Sequence, residues 1–307
     1  MKKTVFVSAV FAALSAQCLM TSCSRHEEED EELARLTIRM EKEEQMESDH
    51  RVITFACACD FDMRTQPFSA TRSLEANGRA MTDLWVMDYS DDGTLLQTIH
   101  QTSDDDDFGT PAIDMEYGSH TLYFVASRGS GATIDTDAKI ITFARVLDTF
   151  WQSLALTVTS SSDANRTVNL SRVVTKLTMV FTDAIPEGAA AFNVTPAMWH
   201  YGIDYHTGEP TAATASQTIT VNIPAIYVGK YVESVSVFSF SGTDEWTTDI
   251  SVNCKTSEGA ILGQAEISAA PFKRNRVTSY SGPLFDRTRS MTFTLSDSWL
   301  DAYDGTW

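Results

Sequence analysis

VNLSRVVTKLTMVFTD, Val168 to Asp183, lies near the middle of the chain, and its reading decides the fold. Val173, Leu177, Met179 and Phe181 fall on alternate positions, so an extended backbone turns them all to one face. Just upstream, Ser160 to Asn165 is a polar, loop-like stretch. A new strand system is therefore expected to begin near Asn169.

Working outward, the same alternation recurs on both sides. His50 to Phe61 sets Ile53, Phe55, Cys57, Cys59 and Phe61 on one face. Asp83 to Tyr89, then Asp91-Asp92-Gly93, then Thr94 to Ile99 reads as a hairpin whose turn has the expected residues. Thr121 to Ala126 is another strand, and downstream come Ile219-Val221-Ile223, Val235 to Phe240, Ile250 to Cys254 and Met291 to Leu295. Gly188, Gly208, Gly242, Gly259 and Gly282 punctuate them. One helix is expected in the body, over Ile140 to Ala155, where Ile141, Ala144, Leu147, Phe150, Trp151 and Leu154 recur in a stretch lean in Gly and Pro. Many short strands without a βαβ rhythm predict an all-β chain of antiparallel sandwiches. Phe55, Val86, Leu122 and Phe124 should line a first core, and Leu177, Met179, Val221, Val237 and Phe293 a second.

The amino terminus has a different character. Lys2 and Lys3 precede an apolar run from Val5 to Leu19, and Met20-Thr21-Ser22 leads to Cys23. A positive start, an apolar stretch and small residues before a cysteine make a bacterial lipoprotein signal. Cleavage before Cys23 would free its thiol and amino group for acyl chains, and each buried CH₂ adds about 0.8 kcal/mol of membrane affinity. Six carboxylates follow, from Glu27 to Glu32, a block that repels itself and stays solvated. This run resembles the acidic export signal that directs Bacteroidota lipoproteins to the outer face of the outer membrane. Leu33 to Met46 could form one amphipathic helix within the tether.

Removing residues 1–22 takes away two lysines and no acid, so the formal charge goes from −19 to −21. Such acidity disfavours nucleic acid and anionic lipid surfaces as partners. Hydrophobic residues make up 43% of the chain. That suffices for two cores in the roughly 260 residues beyond the tether. Cys57 and Cys59 lie two apart on one strand face and are poorly placed to bond each other, so buried thiols are favoured, with a bridge from Cys254 to either left open.

Enzyme signatures are thin. The chain has no Gly-x-Ser-x-Gly elbow, no His-Glu-x-x-His, no phosphate-binding Gly-rich loop and no Cys-x-x-Cys pair. His200, Asp204, His206 and Glu209 could ligate zinc if their loop folded back, but the spacing matches no known pattern. Asp88, Asp91, Asp92 and Gly93 hint at a calcium loop, yet Ile99 stands where a bidentate Glu is required. Asp104 to Asp107 reads as an exposed loop. The expectation is no catalytic residue, no metal and no cofactor. Of six tryptophans, most sit on strands, where core packing is the default.

Several segments together resemble a known family. They are the signal ending at Cys23, MTDLWVMDYSDDGTLLQ (Met81 to Gln97), MEYGSHTLYFVAS (Met115 to Ser127), and above all VNLSRVVTKLTMVFTD. The last is similar to an L-x-R-x-x-A-K-x-x-V strand, with Leu170, Arg172 and Lys176 in place and Thr175 where alanine is common. KRNRVTSYSGPLF (Lys273 to Phe285) and Trp299 add to the likeness. The chain resembles the fimbrillin-like surface lipoproteins of Bacteroidota, in the branch that includes fimbrial anchor subunits. The resemblance implies two transthyretin-like sandwiches, here 50–168 and 169–307, after the signal (1–22) and the acylated tether (23–49). It also implies a surface-exposed, outer-membrane anchor or accessory subunit that pairs β-strands with other fimbrial subunits. Host or glycan ligands are a further class of partner. The alternative reading is a glycan-binding lipoprotein of a polysaccharide uptake system, which would show two or three exposed tryptophans along a concave surface.

Cys23→Ala should abolish metabolic palmitate labelling and leave either uncleaved precursor or soluble protein. Unchanged labelling and membrane fractionation in that variant would refute acylation at Cys23.

Overall fold

A computed structural model describes residues 49–59, 81–215, 217–231, 234–286 and 292–296. Cys23, the acidic run 27–32, the helix expected over 33–46, Phe61, Met291, and the aromatic stretch 298–307 lie outside the described residues. The first half of the body holds β1 (His50–Cys59), β2 (Asp83–Ser90), β3 (Leu95–Thr102), β4 (Ala112–Glu116), β5 (Gly118–Ser127), β6 (Ser130–Asp135), β7 (Ile140–Arg145), β8 (Thr149–Val158) and β9 (Asn165–Arg172). The second half starts with β10 (Val174–Phe181), β11 (Ala189–Pro196), β12 (Met198–Trp199), β13 (Gly202–Asp204), β14 (Glu209–Pro210) and β15 (Thr214–Ala215). It continues with β16 (Ile219–Asn222), β17 (Val235–Phe240), β18 (Trp246–Thr256), β19 (Ile261–Phe272), β20 (Val277–Gly282) and β21 (Thr292–Ser296). The described body is all-β apart from one 3₁₀ turn, Ala225–Tyr227. Among the described residues no helix is long and apolar enough to cross a membrane.

Seven strands form the first sheet, in the order β3-β2-β5-β8-β9-β1-β4. The hairpin expected at Asp91-Asp92-Gly93 joins β2 to β3. Gly93 takes φ +82°, and Ser90 N–H donates to Thr94 O at 3.0 Å to close the turn. Strict alternation on β2 splits its side chains between two cores. Leu84 and Val86 enter one with Ile53, Phe55, Cys57, Cys59, Leu122, Phe124, Val168 and Leu170. Trp85, Met87 and Tyr89 enter the other, which runs on into the second half through Leu177, Met179, Val237 and Phe240. Val221 packs against that second core half-buried, and Phe293 stands on β21 opposite Tyr280, its side chain outside the described residues.

Four-stranded sheets β17-β10-β20-β21 and β16-β11-β18-β19 carry the second half. A further sheet, β14-β13-β7-β6, takes strands from both sides of residue 169. β9 itself runs through Asn169 to Arg172 within the first sheet, and the next strand system opens at Val174. Among the described residues two pairings are parallel, β1 with β9 and β10 with β20. Each joins segments far apart in sequence, as parallel pairing requires.

The helix expected over 140–155 is absent, and the segment forms β7 and β8 instead. Its apolar residues satisfy both periods. Ile141 and Phe143 alternate with exposed Thr142 and Ala144, and β8 meets β5 along ten consecutive rungs, Ser127↔Thr149 to Gly118↔Val158. A ladder that long overrides a modest local preference for helix.

Phe124 is fully buried and its ring centroid lies 5.5 Å from that of Phe55. Phe124→Ala should cost about 3–5 kcal/mol, a large part of the ~5–15 kcal/mol that holds a typical domain together. Denaturant unfolding of the variant checks this, and an unchanged midpoint would contradict the packing.

Candidate functional site

The polar residues singled out by sequence hold turns and pairs rather than a common centre. Asp204 Oδ1 accepts the backbone N–H groups of His206 (2.8 Å) and Thr207 (3.3 Å), fixing the turn that carries the quartet. His200 Nδ1 donates to Thr211 O at 2.6 Å, while burial lowers the proton affinity of its ring. His206 lies against the Tyr123 ring, 5.4 Å between centroids, and Glu209 accepts from Arg274 at 3.0 Å. Asp92 accepts from Ser90 Oγ (2.5 Å) and Thr94 N–H (3.0 Å), which hold its carboxyl below the ordinary range. Asp105 caps Thr102 in the same manner, at 2.6 Å to its N–H. Asp88 is buried and bonded to His120. Among the described residues no group of three His, Cys, Asp or Glu side chains is placed to hold a metal ion.

The described tryptophans pack inward. Trp85 and Trp199 are buried, and Trp151 and Trp246 are half-buried against the same core. Trp199 N–H donates to Phe238 O at 2.9 Å, and Trp151 N–H to Tyr205 O at 2.7 Å. Gly208, at φ +73°, lies so close to the Trp151 ring that a Cβ there would stand 2.6 Å from it. Glycine is required at this position for both reasons. Cys57, Cys59 and Cys254 are free and buried. Burial pushes the Cys57 thiol up to about 12 and Cys254 to about 11, and it raises Cys59 well above the usual range, with the Asp148 charge second.

The motif of Leu170, Arg172 and Lys176 resolves into a structural joint. Leu170 is buried in the first core. Arg172 grips Asp148 with two bonds, Nε to Oδ1 at 2.7 Å and Nη2 to Oδ2 at 3.0 Å. Its Nη1 donates to Asn275 Oδ1 at 3.0 Å, and the guanidinium lies 4.7 Å from the Phe150 ring centroid. Asn275 adopts φ +57°, a left-handed conformation that Asn tolerates, and its N–H donates to Val174 O at 2.9 Å. Lys176 is 1% exposed, with Nζ 5.6 Å from the Phe238 ring centroid. The sequence motif reads as one strand, whereas the structure splits it: Leu170 and Arg172 end β9 in the first sheet and Lys176 lies on β10 of the next. The motif gave no sign of Asp148, which lies in the stretch expected to be helical, or of Asn275 as the partners of Arg172.

The best candidate for an interaction site is the seat of β1. Ile53, Phe55, Cys57 and Cys59 fill the first core from this strand. On one side β1 pairs in parallel with β9, Thr54↔Asn165 to Cys59↔Leu170. On the other, Phe55 N–H donates to Pro111 O (3.0 Å) and Cys57 N–H to Gly109 O (2.9 Å). A second candidate is β21, which lies at the edge of its sheet beside β20. Edge strands offer backbone groups to a further strand.

No family model matches the chain. None of the curated proteins matches it in sequence. Solved structures that it is similar to include fimbrial, cell adhesion and polysaccharide-binding proteins of Bacteroidota. One is a candidate cell adhesion protein of Bacteroides ovatus, at 13% identity and TM-score 0.49, covering 81% of this chain and 98% of that one. Another is the tip fimbrial protein Mfa3 of Porphyromonas gingivalis with a C-terminal truncation, at 13% identity and TM-score 0.41, covering 81% and 99%. A fimbrial assembly protein of Parabacteroides distasonis stands at 11% identity and TM-score 0.42, covering 81% and 96%.

Removing one partner of a desolvated ion pair strands the other, at a cost of about 3–5 kcal/mol. Arg172→Met should therefore destabilise the body by that amount, and adding Asp148→Leu should recover most of it. A double-mutant cycle by denaturant unfolding checks this; additive losses would mean that the pair is not coupled.

Proposed function

We propose that this chain is a lipid-anchored surface protein that works as a fimbrial anchor or accessory subunit, joined to other subunits by β-strand pairing. The observation that carries the reading is the seat of β1. This strand supplies four core side chains, yet its sheet neighbours are β9 and β4, with further bonds to Gly109 O and Pro111 O, all far along the chain. A strand held in that way can be exchanged for an equivalent strand of another subunit without dismantling a hairpin, because the neighbours recognise its backbone and its alternate side chains. The edge strand β21, followed by Trp299, Tyr303 and Trp307, supplies a second means of pairing.

The rest of the chain supports this reading. A cysteine-terminated signal and an acidic tether suit a subunit that stays at the membrane, at the base of a fibre. In this proposal the tether extends to residue 49 and the body divides near residue 169. The glycan-binding alternative called for exposed tryptophans in a row, and the four described ones are built into the core.

Deleting 298–307 should spare folding and palmitate labelling while lowering the recovery of fibre subunits with the membrane fraction. Fibres that stay equally anchored after deletion of the whole gene would defeat the anchor reading.

A further inference from the structure

The first sheet ends in β3 on one side and β4 on the other. Side chains rather than a backbone ladder bring these two edges together. Gln101, buried on β3, accepts from Gly109 N–H at 3.0 Å and donates to Asp107 O at 3.1 Å. Gln97, also on β3, donates to Asp114 O at 3.0 Å and to the Asp88 carboxylate at 3.2 Å. His120 on β5 donates from Nε2 to Glu116 O at 2.9 Å, and its Nδ1 shares a 2.9 Å hydrogen bond with Asp88. All three occupy inward positions of their strands, in rows otherwise filled by Ile99, Leu122 and Phe124.

These contacts converge on one stretch, 107–116, and they grip its backbone. The same stretch pushes Ile113 and Met115 into the first core and covers β1 through Gly109 O and Pro111 O. One glycine lies within it and one just beyond it, both at positive φ, Gly109 at +82° and Gly118 at +149°. A Cβ on Gly118 would meet nothing within 4 Å, so backbone freedom, not packing, accounts for that glycine. An edge position, a side-chain clasp and two glycines of positive φ suit a segment that opens below the global unfolding free energy.

We propose that residues 107–116 are a latch over β1, which swings out as a unit while β2, β3, β5 and β8 stay paired, and whose opening frees β1 for exchange. This rests on the strand-exchange reading above. β1 cannot leave its seat while its Phe55 and Cys57 amides are bonded to the latch. The clasp reads backbone carbonyls and one N–H, so it recloses on the same register whatever side chains the latch presents to solvent.

Amide hydrogen exchange on the folded, full-length chain tests the latch without any partner. Phe55, Cys57 and Gly109 should exchange as one group, faster than Leu122 to Val125 on β5. Gln97→Ala/Gln101→Ala should speed that group about tenfold or more, as the loss of one or two hydrogen bonds implies, and leave β5 and Val237 unchanged. If the double variant fails to fold, Gln97→Ala alone should give the same pattern at smaller size. Exchange of the group at the β5 rate, or acceleration of every amide alike, would overturn the latch and leave strand exchange standing. The second arm adds a labelled peptide of the β1 sequence, HRVITFACAC, which the clasp variant should take up about tenfold more than wild type. Opening without extra uptake would overturn the gating role, and with it the exchange reading on which it rests.

Discussion

The Arg172 guanidinium is the point on which the two halves of the body depend. It is buried, so its charge must be met in full, and Asp148 meets it with both carboxylate oxygens while Phe150 covers its face. Its remaining fork reaches Asn275, and Asn275 in turn is bonded to Val174. One side chain therefore fixes the end of the first sheet against the start of the second strand system. Lysine could not replace it, since a point charge makes no such three-way planar contact.

The turn at Asn275 extends that joint. Arg276 O accepts from Thr175 Oγ1 (3.0 Å) and Lys176 N–H (3.1 Å), while Arg274 reaches Ser241 O (2.9 Å) and Glu209 (3.0 Å). Three consecutive residues, Arg274 to Arg276, thus contact several otherwise separate segments around β10. The bonds are mostly to backbone oxygens, which explains how a short polar turn can organise a region without a large apolar surface of its own.

The first core shows the opposite economy. Its apolar rows are continuous, but its rim is polar at Gln97, Gln101 and His120, where the sheet's two edges meet. An apolar rim would have closed the seam by burial alone. Amides and an imidazole instead hold it by directed bonds to backbone groups. β1 and the seam that covers it are neighbours, and the same core contains both.

Alternation in the sequence was enough to specify an all-β chain, the β2–β3 hairpin, and the inward faces that carry Phe55, Val86, Phe124, Leu177 and Met179. That signal is local: a strand's side-chain period of two is a property of the backbone and needs no partner. Leu170, Arg172 and Lys176 were legible as a motif, though not what they touch. The exchange of an expected helix for β7 and β8, the parallel pairings of β1 and β10, and the clasp on β4 were decided only by the tertiary structure. Arg172 finds its partners 24 and 103 positions away, and no local pattern encodes such distances. They are set when burial in a shared core outweighs the entropy of closing long loops, which is a property of the folded whole.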